Sequence, residues 1–430
     1  MEKKMLTQEA NDRYTRVGPG TPMGELMRRY WHPVAAVSQM NDKWTMKVRL
    51  LGEDLILYKD RSGSYGLIEP HCAHRRMNMI YGIPEQEGIR CPYHGWLYDQ
   101  TGQCTEQPYE ETEDPEARFK DKIQMKAYPV EVKAGLVFAY LGPQPVPLIP
   151  NYDVFAATGV VRDIGYAELA CNWLQCQENS LDPVHLEWLH VAWANFIREM
   201  NGEEERRTRR AHKVIAFDQF EHGIIKRRIW EGGSEEDTEW KDGHPIVFPN
   251  YLRQGGDGFN LSTPTRNQAF LIGPAFQIRT PIDDETTAHW WVACYPMVDG
   301  DTEQTPEEIP FYMPPVPSLD ENGQPVYEEL RSNSAQDPAA WITQGAIADR
   351  TGEHLGRSDK GIIMFRQMLE DNMRRVEDGG DPMEVYRDPE QNTYIPFMTE
   401  QHNYVDTSSR QGAATMYSPI LDRREAAGKI

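Results

Sequence analysis

Two cysteines and two histidines are spaced as mixed pairs, Cys72-Ala-His74 and Cys91-Pro-Tyr-His94, with sixteen residues between the pairs. Two thiolates and two imidazoles suit a two-iron two-sulfur cluster, with the thiolates on one iron and the imidazoles on the other. Neutral nitrogen donors leave such a cluster less negative, which raises its potential and makes it an easier electron acceptor. The same residue types also suit tetrahedral zinc. A zinc finger, however, groups Cys with Cys and His with His, whereas each pair here mixes them. The flanks agree: Gly82-Ile-Pro84 and His94-Gly95 punctuate two hairpin loops, with no helix pattern between the pairs. The chemistry predicted is one-electron transfer.

A second group follows in Gln177-Glu-Asn-Ser-Leu-Asp182-Pro-Val-His185-Leu-Glu-Trp-Leu-His190. A ferrous oxygenase site needs two histidines and a carboxylate on one face of the metal, with other positions open. His185 and His190 are the candidate pair. Five residues of α-helix separate side chains by about 140°. The two imidazoles therefore reach one ion only if the helix ends, kinks or carries a π-bulge there. Asp182, three residues before His185, is expected on the same helical face. Alone, such a string reads more often as ordinary helix histidines than as a metal site. Downstream of a cluster signature, the two motifs support each other.

The segment from His71 to Asp99 resembles the Rieske domain of the non-haem iron aromatic-ring oxygenases. The opening from Arg16 to Val34 and the stretch from Ala348 to Lys360 resemble the phthalate dioxygenase branch, whose oxygenases contain one subunit type. The resemblance implies a Rieske 2Fe-2S cluster on Cys72, His74, Cys91 and His94. It also implies a mononuclear non-haem Fe(II) on His185, His190 and Asp337. Asp182 would bridge the catalytic histidine to a Rieske histidine of the neighbouring subunit, and Asn179 would lie near the iron. Read from the residues alone, Asp337 before Pro338 is a helix N-cap. Asp349 and Glu353 are the fallback carboxylates, and Asp349 reads more simply as a surface partner of Arg350.

The activity so implied is hydroxylation of an aromatic substrate with O2, as ring cis-dihydroxylation of an aromatic acid such as a phthalate-like compound. The alternative is a Rieske monooxygenase or O-/N-demethylase acting on a side chain. Electrons would come from a flavin- and iron-sulfur-containing reductase. The chain has neither a dinucleotide-binding Gly motif in strand–helix context nor a plant-ferredoxin cysteine set. Electron passage between adjacent subunits implies a homotrimer or a dimer of trimers, since head-to-tail contacts close a ring.

The positioning elements read as an α+β protein: a small all-β Rieske domain, then a catalytic domain with a large antiparallel sheet covered by helices. Residues 1–40 form an N-terminal helical segment, with Thr21 as cap and Pro22 opening a helix to Tyr30. Residues 41–150 form the Rieske domain, closed by a Pro-rich linker over 142–150. Residues 151–430 form the catalytic domain. Its expected strands are 212–220, 224–230, 269–280 and 288–297, and its late helices are 339–354 and 360–376. Segment 303–325 reads as a surface loop or lid, and residues 230–330 should line the substrate pocket. The arginines near 203–210 read as a self-paired surface run, so no carboxylate clamp is assigned.

A net charge of -22 over 430 residues disfavours nucleic acid and anionic membrane surfaces as partners. No apolar run approaches the roughly 20 residues that span a bilayer, and the first residues lack a secretory h-region. A cytoplasmic protein is expected. Of the six cysteines, Cys104, Cys171, Cys176 and Cys294 are expected to be reduced core residues.

Overall fold

The computed structural model describes residues 6–114, 116, 118–204, 208–255, 273–330, 332–400 and 418–428. Short alternating runs in the first third fold into three small antiparallel sheets, of three, four and four strands. One four-stranded sheet, from Ile83–Pro84 to Cys104–Glu106, carries the Cys91–His94 loop on the hairpin between Ile89–Arg90 and Leu97–Tyr98, and the Cys72–His74 loop precedes it, after the strand Tyr65–Ile68 of another sheet. Behind it, Ile56, Tyr58, Ile68, Met79, Ile89 and Tyr98 form a separate apolar core.

The N-terminal stretch is not only helical. Its helices are Gln8–Thr15 and Pro22–Met27, and the second begins as expected, with Thr21 Oγ1 accepting from Gly24 N at 3.1 Å. It ends before Tyr30, and Trp31–Ala36 is a strand paired antiparallel with Leu136–Tyr140. Only Trp31 and Val34 of Trp-His-Pro-Val-Ala-Ala favour a strand, so the partner strand rather than local propensity sets it.

The second half is built on an eight-stranded sheet. Strands His212–Phe220, Gly223–Trp230, His244–Val247, Tyr251–Gln254, Ala275–Pro281 and Thr287–Pro296 lie side by side in sequence order, all antiparallel. Val160–Leu169 then joins Thr287–Pro296, and Phe311–Tyr312 adds in parallel at the edge. Residues 269–272 of the expected strand lie outside the described residues. Phe311–Tyr312 also corrects the lid expectation for 303–325, because that part is pinned to the sheet. Gly165 makes room for it: a Cβ there would come 2.8 Å from the Tyr312 ring.

Strand pairing puts Ile224, Lys226, His244, Ile246, Leu252, Gln277, Arg279, His289 and Trp291 on one face. The helices Trp173–Ser180, Asn333–Ile342 and Lys360–Glu377 cover that face through Trp173, Leu174, Trp341, Phe365 and Leu369. Tyr251, Phe276, Ile278 and Trp290 on the other face pack with Tyr152, Phe155 and the small sheet's Trp31 and Phe138. The fold is therefore α+β, with a small all-β unit and a large antiparallel sheet helically covered on one side.

One helix departs from expectation. The run 339–354 is instead a helix Asn333–Ile342, followed by turns and a short 3-10 turn at Arg350–Gly352. Ser332, not Asp337, occupies the N-cap position, and Pro338 lies inside the helix. As the sixth helical residue it cannot donate to Ser334 O, so the helix carries the loss of one interior backbone bond there. Gly345, at φ +94°, helps close the helix, with its N–H donating to Ile342 O. Lys360–Glu377 forms as the apolar spacing predicts.

Candidate metal centres

Each cysteine–histidine loop is a tight backbone turn. Cys72 N–H donates to Met77 O and Arg76 N–H returns to Cys72 O, while Arg76 takes φ +61°. In the second loop, Cys91 N–H donates to Trp96 O and Gly95 N–H to Cys91 O, with Gly95 at φ +77°. These turns bury both cysteines and leave both histidines exposed at the tip. The His74 and His94 ring centroids are 4.5 Å apart, and His74 stacks on Trp96 at 4.3 Å. The Tyr98 hydroxyl lies 3.2 Å from Cys72 Sγ, positioned to donate to a thiolate. Burial chiefly, and Cys72 beside it, push the Cys91 thiol up, so thiolate charge there calls for a bound cationic group.

Single-ion zinc does not fit this arrangement. Tetrahedral ligands at zinc distances lie within about 4 Å of one another. Among the described residues, the one set of three or more His, Cys or acid ligand atoms within 4.8 Å is elsewhere. The four loop ligands are spread more widely, as a two-iron cluster requires.

That convergent set is His185, His190 and Asp337. The helix after Asp182 runs as α over His185–Glu187, π over Trp188–Trp193 and α over Ala194–Met200. The wider π turn brings residues five apart toward one side. The His185 and His190 rings meet with centroids 5.1 Å apart. Asp337 Oδ1 lies 3.1 Å from His190 Nε2 and 3.9 Å from His185 Nε2. It is buried without a hydrogen-bond partner. Two Nε2 atoms and an unsatisfied carboxylate oxygen converging on one point match the donor set that a ferrous oxygenase site needs.

The outer ring atoms set the tautomers. His190 Nδ1–H donates to Gln336 Oε1 at 3.0 Å, leaving the Nε2 lone pair toward the ion position. Gln336 is itself oriented by donating its amide N–H to Leu330 O at 3.1 Å. Asp182 Oδ2 stands 3.7 Å from His185 Nδ1, and its Oδ1 accepts from Val184 N–H at 2.8 Å. Burial opposes the charge on Asp337, yet His190, His185 and Arg279 outweigh it and hold the carboxyl below its usual range.

Comparison with known proteins agrees with this chemistry. The Rieske 2Fe-2S domain family matches residues 30–129, and the family described as LigXa C-terminal domain like matches residues 321–395. The chain is 43% identical over 398 residues to the 5,5'-dehydrodivanillate O-demethylase oxygenase subunit of Sphingobium sp. (strain NBRC 103272 / SYK-6), covering 92% of this chain and 87% of that protein. This chain belongs to the Rieske non-haem iron oxygenases. The oxygenase is also 28% identical over 421 residues to the phthalate 4,5-dioxygenase oxygenase subunit of Pseudomonas putida, covering 87% and 88% of the two chains. Its fold matches the NdmA QL mutant of Pseudomonas putida CBB5 with caffeine at TM-score 0.59 and 19% identity, over 83% and 94% of the two chains. The oxygenase thus carries a Rieske 2Fe-2S domain, and its family uses a mononuclear non-haem iron at the catalytic site.

The sequence candidates are brought together unevenly. Asn179, Asp182 and His185 line an open cleft of about 550 Å3 with Trp188, Trp193 and Glu353, whereas His190 and Asp337 stay behind it. Asp182 reaches His185 from a turn after Ser180, not along a helical face. Asp337 is inside its helix, not an N-cap. Asp349 is no ligand and does not pair with Arg350, because it accepts from Thr351 N–H at 2.9 Å. Arg350 is instead buried on Glu178 at 2.7 Å, and Arg366 joins Glu178 to Glu353 with contacts of 2.6 Å each. Of the arginine run, Arg209 pairs with Glu187 and lies over Trp188, while Arg206 and Arg207 lie outside the described residues.

Sequence reading missed Gln336, Glu178 and Tyr98. Gln336 directly precedes Asp337, and a polar amide beside a candidate ligand was an available signal. Glu178 precedes Asn179 with no local hint of its distant arginines.

Proposed function

We propose that this chain is the terminal oxygenase component that removes an O-methyl group from a methoxylated aromatic compound. The observation that carries this reading is the 43% identity, over 92% of the chain, to an O-demethylase oxygenase subunit. Net chemistry would consume O2, two electrons and two protons, put one oxygen atom into the methyl group and release water. The hydroxylated methyl ether then collapses to a phenol and formaldehyde.

In this reading Cys72, His74, Cys91 and His94 hold the cluster, and His185, His190 and Asp337 hold the iron. A ferrous ion at that position would supply reductive activation of O2 beside the substrate. Gln336 fixes the His190 tautomer, and the Asp182 carboxylate faces the outer Nδ1 of His185. Asn179 sits in the same cleft. The cleft, open at exposed Trp188, would receive the exposed His74–His94 tip of a neighbouring copy, giving a trimer or a dimer of trimers. A separate flavin- and iron-sulfur-containing reductase would supply electrons. We place the domain divisions near residues 40 and 150. Among the described residues no helix is long and apolar enough to cross a membrane, and six cysteines without a disulfide suit the cytoplasm.

Ring cis-dihydroxylation of an aromatic acid is the second reading, supported by the likeness to a phthalate dioxygenase subunit. Product analysis separates the two. With a reductase and NADH, a methoxyarene should give equal amounts of phenol and formaldehyde. Cis-diol without formaldehyde would overturn the demethylase reading and favour the second.

A further inference from the structure

The helix-covered face of the large sheet holds a buried cation with no acid in ion-pair contact, although the Asp337 carboxylate acts on it at longer range. Arg279 is 1% exposed, in the strand Ala275–Pro281. Its Nη2 donates to Gln277 Oε1 at 2.7 Å. Its Nε and Nη1 are buried with no hydrogen-bond partner, and no carboxylate lies within ion-pair distance among the described residues. Other buried arginines differ: Arg253 sits on Asp153, Arg350 on Glu178 and Arg228 on Glu400. Burying a guanidinium without a counter-charge is costly, and folds rarely retain one without a use for it.

Its surroundings place it beside the catalytic position. Arg279 pairs across the sheet with His289, whose ring stacks on Trp291 at 3.9 Å and lies 5.5 Å from Trp341. Trp341 is one helical turn beyond Asp337 on the helix Asn333–Ile342. The same strand packs against the helix Trp173–Ser180, which leads into Asp182 and His185. The face thus offers flat aromatic surface, a planar cation with two free donors and neutral polar neighbours in Gln277 and His289. Burial pushes His289 well below its ordinary range, so it adds no second positive charge.

We propose that Arg279 binds the carboxylate of an aromatic acid substrate through one of its unpartnered N–H groups, Nε or Nη1, and the second N–H of Nη2 beside it, holding the ring toward the iron position. Fork-shaped donation to a planar carboxylate is what a guanidinium does and a lysine does not. The inference deepens the arene-oxygenase reading by naming the substrate as an arene carboxylate. It is independent of whether oxygen enters the ring or a methyl group.

The test is equilibrium binding to the full holoenzyme, read by tryptophan fluorescence, with 4-hydroxy-3-methoxybenzoate and its methyl ester as probes. The wild type should bind the acid at least about tenfold more tightly than the ester. Arg279→Gln should abolish that preference by weakening the acid alone, with the Rieske visible spectrum unchanged. Gln277→Glu gives the guanidinium an internal counter-charge, so it should also abolish the preference while raising the melting temperature. Equal wild-type binding of acid and ester would overturn the proposal. So would a wild-type preference in either folded variant. If Arg279→Gln does not fold, Gln277→Glu decides. Binding does not depend on turnover, so a failure here is distinct from a failure to release formaldehyde.

Discussion

The two candidate metal centres solve the same problem in opposite ways. The cluster loops draw all four ligands from 23 consecutive residues, Cys72 to His94, and present the imidazoles at an exposed tip. The iron position draws its candidate ligands from two segments about 150 residues apart, with His190 buried and His185 and Asp337 half-buried. An electron acceptor must be reached by its donor, so its edge is solvent-facing and its rigidity comes from local backbone turns. A site that activates O2 must be shielded, so its rigidity comes from long-range packing and outer hydrogen bonds. Local sites survive distant changes, and assembled sites do not.

This contrast gives graded expectations. His185→Ala should lower turnover by at least about a thousandfold, as expected for loss of a group that acts as a unit with its partners. The cluster spectrum should be retained, and a parallel loss of that spectrum would break the separation of the two centres.

Glu178→Leu leaves Arg350 and Arg366 without their buried carboxylate, which should cost about 3–5 kcal/mol. A chemical-denaturation midpoint measures it, and the iron position should loosen before the cluster loops do. Burial opposes the charge on Glu178, but the two arginines outweigh it and hold its carboxyl below the ordinary range.

His32, buried in the junction strand with its ring on Met27 O at 2.8 Å, is pushed down to about 4 by burial. The unfolded chain takes up this proton below its ordinary value of about 6.5, whereas the folded chain does so only near 4. Stability should therefore fall by about 3 kcal/mol as pH drops through that window. His32→Gln should flatten this part of the pH profile, seen in urea midpoints between pH 7 and pH 4.5.

Gln336→Leu removes the acceptor of His190 Nδ1 and should weaken iron binding about 10- to 100-fold. Iron retention after dialysis against a chelator reads it, with no change in sulfide. The smallest effect is at the local site: Tyr98→Phe should lower the cluster potential by removing a donor to Cys72 sulfur. An unchanged potential would show that the hydroxyl does not touch the reduced cluster.

The same contrast decides what the sequence disclosed. The loop ligands were legible because their spacing is their geometry. At the helix, five-residue spacing demanded a departure from α geometry, but only the fold shows that Trp188–Trp193 takes the π form. Four strands of the large sheet were legible as strand-like runs, whereas Val160–Leu169, His244–Val247, Tyr251–Gln254 and Phe311–Tyr312 were not. Pro338 misled the reading of the last third: taken as a helix start, it shifted the helix late and made Asp337 an N-cap. Arg350 was read with its neighbour Asp349, although its partner Glu178 lies 172 residues away. Arg279 carries no motif at all. Its meaning lies in what it lacks, which only a folded sheet can show.

The most direct test of two centres in one chain is iron and acid-labile sulfide per subunit, with EPR of the dithionite-reduced protein, in wild type and Asp337→Ala. Wild type should hold about three irons and two sulfides with a rhombic Rieske signal. Asp337→Ala should drop to about two irons and keep both the sulfide and the signal. Zinc without sulfide in the wild type, or loss of the Rieske signal in Asp337→Ala, would contradict the account.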